Sequence, residues 1–179
     1  MKDFALKILE QYWIDKDPNN DTDLCSHGKI YLRINSQEIL TESDDDWTVS
    51  TSALLLLRTL FQDYDEPQLI LHCGMLLLLS CPISITWLVE HKGKKVCIDK
   101  VRKNPTTNTS DTIEFPNASV ELELREYAFA IWNFSEDVVD FFRKEKERKF
   151  FDDHDKIGYE RFWIELNELR SKTQEIISN

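Results

Sequence analysis

Ile83-Ser-Ile-Thr-Trp-Leu-Val-Glu-His-Lys-Gly-Lys-Lys-Val-Cys-Ile-Asp-Lys-Val101 decides the fold class of this chain. It reads as two strands, 83–89 and 95–101, joined by a turn at His91-Lys92-Gly93-Lys94. Upstream, 50–64 reads as a helix. Ala53-Leu54-Leu55-Leu56-Leu57, then Leu60, Phe61 and Tyr64, put apolar residues on more than one face, which predicts burial on most sides. Ser50 or Ser52 can cap its first amides, and Asp63, Asp65, Glu66 and Pro67 end it.

Nearer the N-terminus, Lys29-Ile-Tyr-Leu-Arg-Ile-Asn35 and Glu38-Ile-Leu-Thr41 read as strands. Phe4, Ile8, Leu9, Tyr12 and Trp13 have helical spacing and predict a short N-terminal helix. Val120-Glu-Leu-Glu-Leu124 alternates. Its apolar parity then flips to Tyr127, Phe129 and Ile131, which predicts a bulge near Arg125 and Glu126 and a continuing strand. Ser135 is expected to cap a helix over 136–149, with acidic residues first and basic residues last. Asp152-Asp153-His154-Asp155 should break the chain before a last helix, whose stripe is Phe162, Leu166 and Leu169. The loop 104–116 is the expected mobile segment. A chain of 179 residues suits one core. The expectation is a single α+β domain over 1–179, with an antiparallel or mixed sheet of about five strands packed by about four helices.

The segment 69–89 carries no Asp, Glu, Lys or Arg over 21 residues, nominally enough to span a bilayer. His72, Gly74, Ser80, Pro82, Ser84 and Thr86 interrupt it, so it reads as a buried core segment and no membrane association is expected. Met1-Lys2-Asp3-Phe4 does not open a signal peptide, which points to a cytoplasmic protein. Cys25, Cys73, Cys81 and Cys97 are then expected as thiols.

Charge carries the functional reading. Between Asp15 and Glu66 stand twelve carboxylates against Lys16, Lys29, Arg33 and Arg58, a balance of −8 out of −11 for the whole chain. That repels nucleic acid. Within the stretch lies Glu42-Ser43-Asp44-Asp45-Asp46-Trp47, an acidic run ending in a large aromatic. Complementary charge accelerates association and aromatics anchor interfaces. Glu42, Asp44, Asp45, Asp46 and Trp47 are therefore the candidate contact residues for a basic protein partner, with the carboxylates mimicking a phosphate track. A basic island contrasts with them: Lys92, Lys94, Lys95, Lys100, Arg102 and Lys103 against Asp99 give +5 over 92–103. On a hairpin it can pair with the acidic half of the same or another molecule, or bind phosphate.

Enzyme signatures are missing. There is no G-x-S-x-G, G-x-G-x-x-G, P-loop or H-E-x-x-H, and Asp44-Asp45-Asp46 lacks the spacing of an EF-hand. No catalytic residue and no cofactor is assigned. The alternative class is a small cytosolic enzyme or zinc-binding domain using Cys25, His27, His72 or Cys73. Zinc takes four such ligands in a tetrahedron, but no C-x2-C pair is present.

Gly28-Lys-Ile-Tyr-Leu-Arg-Ile34, Trp47, Ser52-Ala-Leu-Leu-Leu-Leu-Arg-Thr-Leu60, His72-Cys-Gly74, Cys81-Pro82 and Trp87-Leu-Val89 together give a pattern over residues 28–89. It resembles the small acidic immunity proteins that bacteria encode beside secreted polymorphic toxins. The resemblance implies a cytosolic inhibitor that blocks a cognate toxin by occluding its active site or a neighbouring surface. It assigns no residue, because immunity families share no common binding motif.

Overall fold

In the computed structural model, residues 3–73, 81–104 and 111–178 are described. They form one antiparallel sheet and three helices. The strands are β1 Phe4–Tyr12, β2 His27–Ile34, β3 Gln37–Leu40, β4 Trp47–Thr48, β5 Gln68–Leu71, β6 Ser84–Lys92, β7 Lys95–Asn104, β8 Ile113–Glu114 and β9 Val120–Glu123. The helices are α1 Val49–Arg58, α2 Leu124–Lys144 and α3 Asp153–Ser178. The sheet runs β1-β2-β4-β5-β6-β7-β8, with β3 also on β2 and β9 also on β7. The α+β class therefore stands, with more strands and fewer helices than expected.

The hairpin that set the class is present. Lys92 faces Lys95 at its tip, and Gly93 there has a φ of 66°, a left-handed conformation that favours glycine. The strands at 29–35 and 38–41 are present as β2 and β3. In β2, Gly28, Ile30, Leu32 and Ile34 are buried and alternate with part-exposed Lys29, Tyr31 and Arg33.

Two elements differ from expectation. The N-terminal segment is a strand. Phe4 and Leu6 point inward with Lys7 outward, and the β1–β2 register shifts between Ile8 and Glu10. That bulge inserts Leu9, which breaks the two-residue alternation and produces helix-like spacing in the sequence. The second difference is α2. No strand continues past Glu123 and no helix starts at Ser135. Tyr127, Ala128, Ile131, Phe134, Ser135, Val138 and Val139 are buried along a single helix, so the parity flip marked helical periodicity. Ser135 lies inside that helix and its hydroxyl donates to the Trp132 carbonyl at 2.7 Å.

Smaller differences follow the same logic. Helix α1 stops at Arg58, and Tyr64 instead exchanges backbone hydrogen bonds with Val89 at 2.8 and 2.9 Å. Ser50 and Ser52 do not cap it. Ser50 Oγ accepts from the Ser26 amide at 3.1 Å, and Ser52 Oγ accepts from the Leu71 amide at 3.2 Å. These two hydroxyls tie the start of α1 to neighbouring strands. The acidic run before α3 does not only break the chain: the Asp152 carboxylate accepts from the Asp155 amide at 2.9 Å in the helix's first turn. The segments 74–80 and 105–110, within the apolar run and the expected mobile loop, lie outside the described residues.

The core sits between the sheet and α1, whose Val49 to Leu54, Leu56 and Leu57 are all buried. Trp87 of β6 and Tyr127 of α2 are fully buried there. Tyr127 Oη lies 2.9 Å from Thr59 Oγ1 and 3.4 Å from Trp87 Nε1. Burial pushes its phenol up to about 12, against the opposing pull of those two hydrogen bonds. Helix α3 closes over the helices with Phe162 and Leu166, and Arg58 clamps it by a fork to Glu165 at 2.6 and 2.9 Å. The sheet curls so that its two ends meet. Asn35, after β2, donates to the Asn117 carbonyl at 3.1 Å, and the Asn117 amide donates to Gln37 at 3.0 Å.

Candidate functional site

The acidic run forms the connection from β3 to β4. It is short, starts at a strand end and must return the chain to β2 beside Gly28. Asp44 shapes the turn. Its carboxylate accepts from the Thr41 amide at 2.7 Å and from the Thr41 hydroxyl at 3.0 Å, while its own amide donates to the Thr41 carbonyl at 3.2 Å. The same carboxylate pairs with Lys103 of β7. Lys29 of β2 donates to the Asp44 carbonyl and lies 3.1 Å from the Asp46 carboxylate. The loop is thus pinned from both sides by cations of the sheet.

Burial alone would raise the Asp44 carboxyl, but Lys103 and the Thr41 amide outweigh it and hold it below the usual carboxylate range. Asp46 behaves alike: burial opposes, while Tyr12 and Lys29 draw it down. The Tyr12 phenol is raised, first by burial and then by Asp46. Asp44 and Asp46 are braces of the loop.

Glu42 and Asp45 are different. Both are exposed and neither makes an ion pair among the described residues. Trp47 lies at the base of the loop with no exposed surface. Its ring packs edge-on to His72 at 6.3 Å, and Lys103 Nζ sits 5.9 Å from its centroid. Of the five candidate contact residues, two face outward, two brace the loop and one is in the core.

The basic island pairs within the same molecule. Lys100 and Arg102 converge on Glu66 at 3.2 and 2.5 Å, and Lys103 takes Asp44. Lys92 pairs with Glu90 at 3.1 Å and Lys95 with Glu121 at 2.6 Å. No family model, curated protein or solved structure matches the chain.

The alternative ligand set is dispersed. Cys25 is buried, with Sγ 4.0 Å from Thr51 Oγ1. His27 pairs with Asp23 at 3.3 Å, and the His72 ring rests on Trp47. Cys73 faces Cys81. Among the described residues no three His, Cys, Asp or Glu side chains gather to hold a metal ion. No helix of the described residues is long and apolar enough to cross a membrane.

Lys29 as a counter-charge of the site went unread in the sequence. For Lys103 the +5 over 92–103 signalled that the island can pair with the acidic half, but it did not indicate which cation meets which carboxylate.

The depressed Asp44 carboxyl makes a pH prediction. A group whose folded pKa is lowered stabilises the fold fully above its unfolded value of about 3.9 and loses that contribution as pH falls through the folded pKa. Asp44→Asn is expected to cost about 1–2 kcal/mol at neutral pH, where the Lys103 pair and the two Thr41 hydrogen bonds are intact. The deficit should shrink below pH of about 4 as the native carboxyl takes up its proton. Urea midpoints of both proteins at neutral and acid pH check this. Equal stability at neutral pH would remove Asp44 as a brace.

Proposed function

We propose that this domain is a non-enzymatic, acidic protein-binding module of the immunity-protein kind, which captures a basic partner protein in the cytosol through the β3–β4 loop. The observation that supports this reading is the division of labour within one acidic run. Asp44 and Asp46 are neutralised by the sheet's own cations, while Glu42 and Asp45 stay exposed on a braced turn. Uncompensated charges on a fixed loop cost little ordering entropy on binding and steer an oppositely charged partner. Trp47 contributes from beneath, by holding the base of the turn in the core.

A toxin domain that binds polyanionic substrate offers the matching positive surface, and an inhibitor would occupy that surface. The internal pairing of Lys92, Lys95, Lys100, Arg102 and Lys103 draws most of the basic island away from the competing phosphate-binding role.

The test uses the tagged protein as bait in lysate of the native organism, washed at low and high salt, beside a Glu42→Lys, Asp45→Lys bait. A basic protein should be retained by the native bait, released by salt and missed by the variant. With the partner purified, the double variant should slow association about tenfold at low salt and leave dissociation almost unchanged. Both positions are exposed, so the melting temperature should stay the same. Equal association rates would remove this loop from the interface.

A further inference from the structure

The connection leaving β5 and the one entering β6 bring Cys73 and Cys81 together, with their Sγ atoms 2.8 Å apart. Neither thiol belongs to the acidic β3–β4 loop. Cys73 is exposed and Cys81 is buried. The pair is positioned by its surroundings. Gln68 clasps the Cys81 backbone, donating Nε2–H to its carbonyl and accepting its amide, both at 2.9 Å. The Cys73 amide points at Cys81 Sγ at 3.4 Å, and the His72 amide donates to the Ile83 carbonyl at 3.1 Å. Leu71 faces Ser84 in the ladder just inside. The two thiols therefore sit on neighbouring antiparallel segments whose backbones are already fixed.

The spacing chooses between two chemistries. Two thiolates on one tetrahedral zinc, at about 2.3 Å from the metal, stand about 3.8 Å apart. These sulfurs are closer than that, and no third ligand joins them among the described residues. A sulfur–sulfur bond needs only a contraction to about 2.0 Å.

We propose that Cys73 and Cys81 form a redox modification site: a dithiol that closes reversibly to an intramolecular disulfide in exchange with a small disulfide oxidant such as oxidised glutathione. Cys73, the exposed thiol, gives its proton to solvent and its thiolate attacks one sulfur of the oxidant. A mixed disulfide forms and one glutathione thiolate leaves. Cys81 then loses its proton and attacks the Cys73 sulfur, and the second glutathione thiolate leaves. Two protein thiols become one disulfide, and the two electrons and two protons end on the two released glutathione molecules. The hydrogen bond to Cys81, and then burial, raise the Cys73 thiol, so the first step should accelerate as pH rises.

Full-length protein is equilibrated in graded reduced and oxidised glutathione, quenched by alkylation and digested. The expected product is one peptide lighter by two hydrogens and unalkylated at Cys73 and Cys81, with Cys25 and Cys97 alkylated. The folded protein should be half oxidised at a reduced-to-oxidised glutathione ratio at least about tenfold higher than the same chain in concentrated urea, because the fold holds the thiols together. Cys81→Ser should stop at a mixed disulfide on Cys73, and Cys73→Ser should resist oxidation at Cys81. Equal half-oxidation points with and without urea would overturn the proposal, as would independent alkylation of the two thiols under oxidising conditions. Retention of one equivalent of zinc that protects both thiols would also overturn it.

Discussion

Trp47→Ala is expected to destabilise the protein by about 3–5 kcal/mol, the range for deleting a buried Trp or Phe ring. The ring has no exposed surface, and its neighbours cannot easily close over the space it leaves. On one side, β4 holds its backbone against Gly28 of β2, and on the other the next residue pairs with Leu71 of β5. His72 packs on its edge, and Lys103 lies over it while paired to Asp44. Removing the ring therefore undermines the strand junction and the acidic turn together. A domain with stability of about 5–15 kcal/mol loses a large share of it. Urea unfolding followed by circular dichroism measures the change. Trp47→Phe separates volume from polarity. Trp47 Nε1 has no hydrogen-bond acceptor among the described residues, so Phe sacrifices chiefly ring volume and should cost about 1–2 kcal/mol. A loss below about 1 kcal/mol for Trp47→Ala would mean that the ring does not anchor the turn.

The legibility of the fold varied with the strength of local patterns. The hairpin over β6 and β7 was plain because two β-rich runs flank a Lys-Gly turn whose glycine takes positive φ. Helix α1 was plain because the apolar block that follows Ser50 and Ser52 has few other ways to be buried. The N-terminal strand was hidden by one inserted residue. Leu9 in its bulge shifts the later side chains, and period 2 with a slip looks like period 3.6 over nine residues. The start of α2 was hidden by a direct junction: Glu123 ends a strand and Leu124 starts a helix with no turn residue between them. The two-residue strands β4 and β8 carry no periodicity of their own and exist through their partners.

The candidate site was legible as charge and not as geometry. The sequence marks Glu42 to Trp47 as acidic and aromatic, but every residue of that run looked equally available. Which carboxylates are spent inside the molecule depends on Lys29 and Lys103, the latter 59 residues downstream of its partner Asp44. The burial of Trp47 depends on β4 lying between β2 and β5. Both are consequences of strand order, which no local pattern encodes. The thiol pair was likewise invisible: Cys73 and Cys81 are eight positions apart, and only the meeting of β5 with β6 places them face to face.

Gly28→Ala is the second large effect expected, and it arises from a single methyl group. Gly28 lies in β2 between β1 and β4, opposite Gln11 on one side and Trp47 on the other. A Cβ placed there would sit 1.9 Å from the Glu10 carbonyl oxygen, 2.8 Å from its carbon and 3.1 Å from Gln11 Cα. All three are backbone atoms, so no rotamer change relieves the clash. β1 must move away from β2 just past the bulge, or β2 must shift toward Trp47, whose ring is already enclosed. The cost should reach about 3 kcal/mol, the upper end for overpacking. Gly93→Ala serves as the comparison. Its Cβ meets nothing within 4 Å and its φ is 66°, so it should cost only the left-handed backbone penalty of about 1 kcal/mol. Hydrogen exchange adds a spatial readout. In Gly28→Ala, protection should fall in 4–12 and around Trp47 more than in the β6–β7 hairpin, because the strain is local to the β1–β2–β4 junction. Equal costs for the two glycines would mean that the junction opens freely. The base of the acidic turn would then be soft, and charges on a soft turn must pay for their own ordering when a partner arrives.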